Sequence, residues 1–201
     1  FLVLLSAFYV LLHRYTGQDD LIVGWPVTKR TLPETENLIG MFLNTLILRV
    51  KIKSKMSFKD LLFTVKLAFT EALTHSDVPF DLLVKELNVV RDLSITPLYQ
   101  AMFTFQSERP APVSLDGLVS EEIFIHTSSA QTDLRLELLE TGEGLKGYME
   151  YSRDLFNHTT IMNMINSFQL LLENIISNPD TAIGELQILR DDEKNKVLIE
   201  W

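Results

Sequence analysis

The chain has 201 residues, 46% of them hydrophobic and 22% charged, the proportions of a globular protein and not of a disordered one. Its 27 acidic and 18 basic residues leave a formal charge of -9, which argues against an electrostatic footprint on nucleic acid or on an anionic membrane. The absence of cysteine removes disulfide scaffolds, thiol nucleophiles, iron–sulfur clusters and cysteine zinc sites.

The longest apolar run covers residues 1–12 and is broken only by Ser6. It falls short of the roughly 20 residues a membrane span needs, and no basic stretch precedes it as in a signal peptide. The chain starts without Met inside an apolar pattern, which reads as a piece of a longer polypeptide. Leu2, Leu5, Tyr9 and Leu12 keep helical spacing and predict a buried helix over 1–15, stopped near Gly17. Residues 21–24 read as a short buried strand, and Pro26 and Pro33 mark a loop. Asn37 is placed to cap a helical turn through Met41, and 45–52 returns to strand character. Ser57-Phe58-Lys59-Asp60 forms a capping box, opening a helix with the apolar stripe Phe58, Leu61, Leu62, Val65, Phe69, Ala72 and Leu73. Pro79 interrupts it, and Phe80, Leu83, Val84 and Leu87 predict a second, shorter helix.

Residues 100–106 alternate as a strand, and Pro110 and Pro112 make the next stretch a loop or crossover. A strand is expected over 118–125, then a hairpin of 133–140 and 145–151 around Thr141-Gly142-Glu143-Gly144. Asn157 caps a helix whose apolar positions run from Ile161 through Ile176 in steps of three and four, ended by Asn178-Pro179. At roughly 22 residues it is about 33 Å long, enough to cover a sheet face. The intermixed elements predict an α+β fold: a two-layer sandwich with a mixed β-sheet and helices packed on one side.

Without cysteine, the four histidines are the natural places to look for a general base. His13 reads as a capping or surface residue, His158 as a solvated residue at a helix start, and His75 as a partner for the last carbonyls of its helix. His126 lies near Thr127, Ser128, Ser129, Thr132 and Asp133, the residue types of a hydrolase triad, but no G-x-S-x-G elbow accompanies them and the stretch equally reads as a polar connection. No H-E-x-x-H, His pair at i and i+4, or calcium loop occurs, so no metal site is expected. Gly142 and Gly144 sit in a hairpin turn and make no phosphate cradle. Residue types and spacing alone disclose no self-contained catalytic set.

Three stretches nevertheless resemble the signature motifs of condensation domains from nonribosomal peptide synthetases, in that family's order. Ile39-Gly40-Met41-Phe42-Leu43-Asn44-Thr45 with Arg49 resembles I-G-x-F-V-N-T-x-x-x-R. His75-Ser76-Asp77-Val78-Pro79-Phe80-Asp81 resembles H-Q-D-Y-P-F-E, and Arg91-Asp92-Leu93-Ser94-Ile95-Thr96-Pro97-Leu98 resembles R-D-x-S-R-N-P-L. Further matches run from Arg14-Tyr15-Thr16-Gly17 to Asp154-Leu155-Phe156, and Trp25, Val78 and Ile95-Thr96 are departures.

The resemblance implies one lobe of a V-shaped, chloramphenicol-acetyltransferase-like domain that joins a donor thioester to an acceptor aminoacyl amine, both carried on the phosphopantetheine of peptidyl carrier domains. It implies a cytoplasmic multidomain synthetase. The family's catalytic H-H-x-x-x-D-G belongs to the N-terminal lobe, and no His-His dipeptide occurs here, so 1–188 is expected to be the C-terminal lobe and 189–201 the start of a linker to an adenylation domain. The expected partners are thus the N-terminal lobe, carrier domains and an adenylation domain, with no catalytic residue, metal or directly bound cofactor in the chain. Asn44 and Thr45, read at a helix-to-strand junction, are expected to face the substrate tunnel and orient pantetheine amides or the acceptor amine. Arg49 is expected to pair with an acid, Asp77 to be structural, Pro79 to fix a helix start, Phe80 to fill core, Arg91 and Asp92 to form a local ion-pair network that shapes a loop, and Pro97 to be structural. Residues 107–116 resemble the region that reaches toward the partner lobe. An epimerisation or cyclisation relative, a noncatalytic docking scaffold and a trimeric acyltransferase are the alternatives.

Overall fold

The structure, a computed structural model, describes residues 1–89, 92, 95–107, 117–118, 129–190 and 194–195. Helix α1 (Leu2–Thr16) is apolar on every side, and a helix of that kind has to be surrounded. Its residues from Leu5 to His13 are all buried, and it lies between α2 (Phe58–Thr74) and α4 (His158–Ser177). Gly17 ends it in the left-handed conformation at φ 68°, where a residue with a Cβ is strained. Side chains of α1 reach strand β1 (Asp20–Thr28) and strand β2 (Leu43–Lys51), where the buried Tyr9 hydroxyl donates to the Leu48 carbonyl at 2.6 Å. Burial drives the Tyr9 hydroxyl pKa well above its ordinary value.

The remaining strands among the described residues are β3 (Ala101–Gln106), β4 (Leu134–Thr141) and β5 (Gly144–Tyr151), and their sheet order is β2-β1-β3-β4-β5. β1 pairs antiparallel with β2 and parallel with β3, β3 pairs parallel with β4, and β4–β5 is the expected hairpin. The predicted α+β sandwich is therefore the fold formed. Alternation along the strands sends Leu21, Val23, Leu48, Val50, Phe103, Leu134, Leu136 and Leu138 into one core with the long helices. The other face of the sheet carries Gly24, Pro26, Thr45, Arg49, Thr104, Arg135, Glu137 and Tyr148, and none of the three long helices covers it.

The capping box at α2 is present, with Ser57 Oγ accepting from the Asp60 N–H at 3.1 Å and the Asp60 carboxylate accepting from the Ser57 N–H at 3.2 Å. Phe58, Leu61 and Val65 are buried as the stripe predicts, while Leu73 at its end is exposed. The short helix after Pro79 is α3 (Phe80–Glu86). Helix α4, at 20 residues, is about 30 Å long, and Asn157 occupies its N-cap without a side-chain cap bond. The segment after α4 is fastened to α1 by the Arg14 guanidinium, which donates to the Ile183 and Leu186 carbonyls at 3.1 and 2.6 Å.

Two expectations need correction. Pro26 lies inside β1, not in a loop, because strand pairing with β2 continues through Pro26–Thr45 to Thr28–Leu43. The turn expected from Asn37 to Met41 is absent; a 3-10 turn occupies Pro33–Thr35, where Pro33 sets the backbone, and the Arg30 guanidinium holds it by donating to the carbonyls of Thr35, Glu36 and Leu38. The expected strand over 118–125 and the loop with Pro110 and Pro112 fall largely outside the described residues.

Candidate functional site

The first two motifs meet at one end of the sheet, and Tyr99, the residue after the third, joins them there. Asn44 is a strand residue, paired with Val27, so it stands at no helix-to-strand junction, and its side chain is on the helix side and buried. Its amide donates to the carbonyls of Ser76 and Val78 at 3.0 and 2.8 Å, and its carbonyl oxygen accepts from the Phe80 N–H at 3.0 Å. Both amide hydrogens are thereby committed to the α2–α3 connection. The inward direction follows from alternation: residues 44, 46, 48 and 50 share a face, and that face is the core.

Thr45, one residue on, points to the open face and hydrogen-bonds the Tyr99 hydroxyl. Tyr99 is buried, and its burial raises the hydroxyl pKa, opposed by the bond to Thr45. Its ring lies over Gly24, where an added Cβ would sit 2.6 Å from two ring atoms, so only glycine admits this approach. Phe80 packs edge-on against the same ring at 5.7 Å. Leu98, directly before it, has φ 71°, a left-handed conformation costly for a branched side chain. That strained residue and the half-buried Pro97 turn the chain so that Tyr99 can lie across β1. The third motif thus delivers a tyrosine that sequence reasoning did not single out; the glycine at 24 within an apolar strand was the signal of a close approach.

Arg49 pairs bidentately with Asp20 at 2.8 and 2.7 Å, diagonally across β1 and β2 on the open face, as its expected acid partner. The guanidinium holds the Asp20 carboxyl below its ordinary range. The Asp77 carbonyl accepts from Lys29 Nζ at 3.2 Å, and Pro79 is the N-cap of α3. Arg91 lies outside the described residues, and the Asp92 carbonyl accepts from the Ile95 N–H at 3.3 Å.

Farther along the open face, the buried Glu137 carboxylate accepts from Arg135, from Gln106 Nε2 at 3.4 Å and from the Tyr148 hydroxyl. Burial and then this carboxylate push the Tyr148 pKa up to about 12, so the hydroxyl stays protonated and donates. Arg135 Nε and the Thr104 hydroxyl are buried beside it with no hydrogen-bond partner among the described residues.

The histidines bring no catalytic set to the open face among the described residues. His13 is 5% exposed, not at the surface: Nδ1 donates to the Gln18 carbonyl at 2.8 Å, and Nε2 is hydrogen-bonded with Ser54 Oγ at 3.0 Å. His75 caps α2, and the exposed His158 lies 3.3 Å from the Tyr151 hydroxyl. His126 is outside the described residues. No three His, Cys, Asp or Glu side chains among the described residues gather to hold a metal, and no helix among them is long and apolar enough to cross a membrane.

A mixed five-stranded sheet with the long helices packed on one face defines a chloramphenicol-acetyltransferase-like fold. The sequence model of the family described as Condensation domain matches residues 2–198, and the chain belongs to that family. With surfactin synthase subunit 1 of Bacillus subtilis (strain 168) it shares 39% identity over 96% of the chain and 5% of that protein. It is 35% identical, over its whole length, to gramicidin S synthase 2 of Brevibacillus brevis, covering 4% of that protein. Among solved structures, a holo four-domain nonribosomal peptide synthetase bound to AMP and glycine matches with TM-score 0.85 and 26% identity over 96% of this chain and 16% of that one. The complex of the X-domain and OxyB from teicoplanin biosynthesis matches with TM-score 0.86 and 27% identity over 95% of this chain and 43% of that one. The chain therefore spans a small part of the curated relatives it matches.

Proposed function

We propose that this chain is the C-terminal lobe of a nonribosomal peptide synthetase condensation domain, with residues 189–201 opening the linker toward an adenylation domain, and that its open sheet face forms one wall of the substrate tunnel in a cytoplasmic assembly. The observation that carries the reading is the family match over nearly the whole chain, combined with the meeting of Thr45 and Phe80, from two of the family motifs, at Tyr99, which follows the third. The reaction transfers the donor acyl group from a thioester to the acceptor amine: the C–S bond breaks, the C–N bond forms, and the proton lost by the amine ends on the released thiol. Carrier-borne phosphopantetheine supplies the thioesters. The chain's own part is to position substrates and exclude water, since proton handling and oxyanion stabilisation require a histidine and preorganised donors that the partner lobe contributes.

On this reading Asn44 is a positioning residue. It fixes the connection 76–80, which sets Phe80 against Tyr99 and thereby the surface beside Thr45. Supplying the polypeptide that carries H-H-x-x-x-D-G, together with both loaded carrier domains, should restore amide formation; an assembled domain with an intact motif and no product would count against the proposal.

The matched complex of the X-domain and OxyB favours a second reading, in which the lobe serves as a docking scaffold for another protein and performs no chemistry. A degenerate H-H-x-x-x-D-G in the preceding polypeptide would select it.

A further inference from the structure

Four segments meet at the C-terminal end of α1, in the helix layer and apart from the open face. Gly17 turns the chain back in the left-handed conformation, which brings residues 18 and 19 beside the last turn of the helix. The Asp19 carbonyl is held there by the Ile52 N–H, which donates to it at 2.6 Å. The turn 53–56 follows β2 and is closed by the Met56 N–H on the Lys53 carbonyl at 2.9 Å. The segment after α4 braces this turn, with the Gly184 N–H donating to the Ser54 carbonyl at 2.8 Å. Gly184 comes so near that an added Cβ would sit 3.2 Å from the Ser54 Cβ, which fixes the serine from that side.

The buried His13 ring lies between these segments. Its Nδ1 is 2.8 Å from the Gln18 carbonyl oxygen and 3.6 Å from the Asp19 carboxylate. Both are acceptors, so Nδ1 carries the proton, and in the neutral ring the lone pair belongs to Nε2. That nitrogen is 3.0 Å from Ser54 Oγ. Ser54 itself is exposed, where water satisfies a hydroxyl without help from the protein. Here the hydroxyl is set against a ring nitrogen, and the other nitrogen of that ring is oriented by a carbonyl and an acid. A hydroxyl, a base and an orienting group in this order are the parts of an activated serine, identified by geometry whatever their order in the chain. The N–H groups of Ser54 and Lys55 belong to the turn and to no helix or strand, and Lys53 and Lys55 are exposed on either side of the serine. Donors and positive charge therefore adjoin the hydroxyl in sequence, the kind of group that stabilises an oxyanion.

We propose that Ser54, His13 and Asp19 form a second, hydrolytic site that cleaves small carboxylic esters and thioesters, independent of the condensation reaction. Ser54 Oγ attacks the acyl carbonyl while its proton passes to His13 Nε2. The bond from the acyl carbon to the leaving oxygen or sulfur breaks, and the leaving group takes that proton. Water then attacks the acyl-Ser54 ester, its proton passing to Nε2 and from there back to Oγ, and the carboxylic acid is released. Asp19 and the Gln18 carbonyl act through the ring as positioning groups, holding Nδ1–H and with it the direction of Nε2. The exposed lysines beside Ser54 suit a short, polar or anionic acyl group.

The test treats the full chain with a fluorophosphonate probe, which reacts with activated serine hydroxyls, and reads the intact mass and then the labelled peptide. A single label on Ser54 is expected. Hydrolysis of 4-nitrophenyl acetate by the unaltered chain should exceed that by Ser54→Ala about 100-fold, and acid quenching should trap acetyl-Ser54. His13→Gln keeps hydrogen-bonding groups but removes the base, so a folded chain with this change, checked by circular dichroism, should lose both the label and the hydrolysis. No label, a label on another residue, or unchanged hydrolysis in Ser54→Ala would overturn the assignment. So would a folded His13→Gln chain that labels at the unaltered rate. The peptide map of the unaltered chain decides the matter even where His13→Gln fails to fold.

Discussion

Replacing Asn44 by Ala removes two donors and one acceptor that tie β2 to the connection between α2 and α3. At about 1 kcal/mol for each net hydrogen bond, the loss is about 3 kcal/mol. For a domain of this size each kcal/mol lowers Tm by about 2–4 °C, so Asn44→Ala should melt about 6–12 °C lower. Differential scanning calorimetry measures this directly, and hydrogen exchange at the Phe80 amide, whose acceptor is Asn44, should quicken at the same time. Asn44→Asp separates the two halves of the interaction. It keeps an acceptor for Phe80 but sets a carboxylate against the Ser76 and Val78 carbonyls, so it should be destabilised at least as much as Ala. A fall in Tm under about 2 °C for Asn44→Ala, or a milder effect for Asp than for Ala, would refute the assignment of Asn44 as a clamp.

Ser57→Ala removes half of the capping box and should lower stability by about 1 kcal/mol, read as a Tm loss of about 2–4 °C. Gly24→Ala drives a methyl into the Tyr99 ring and should cost about 1–3 kcal/mol, a penalty largely relieved in a Tyr99→Ala background; full additivity of the two changes would rule out the ring contact. The Asp20–Arg49 pair should show its pH signature. Asp20 has a folded-state pKa below its unfolded value of about 3.9, so its stabilisation is present above that pH and is lost as the pH falls through the folded value. The Tm difference between the unaltered chain and Asp20→Asn should accordingly be constant near neutrality and shrink below about pH 4; a difference that grows on acidification would contradict the pairing.

Periodicity makes the long helices legible, because α1, α2 and α4 each bury a face or a whole surface whose spacing is visible in the residues themselves. The hairpin is legible for a similar reason, its turn residues being flanked by two alternating runs. Pro26 reads as a loop residue because proline in a strand is admissible only where its missing donor faces an unpaired side, and that side is set by β3, about 75 residues away along the chain. The direction of Asn44 is not legible in sequence for want of register: one residue decides whether a side chain meets the core or the open face, and the position of the strand start fixes it. His13 reads as a surface residue until Ser54 and the Gln18 carbonyl are brought to it, since sequence does not show which polar ends of helices are covered. The motif resemblance carries the family; Tyr99, the common contact of Gly24, Thr45 and Phe80, emerges only from the geometry.

If this lobe supplies a wall and no proton-handling group, it cannot form the amide by itself. The most direct measurement incubates the chain alone with donor- and acceptor-loaded carrier domains and follows the amide product by mass spectrometry. No product above the uncatalysed background is expected, and product should form once the lobe bearing H-H-x-x-x-D-G is added. Turnover by the chain alone, abolished by changing His75 or His126, would contradict the assignment.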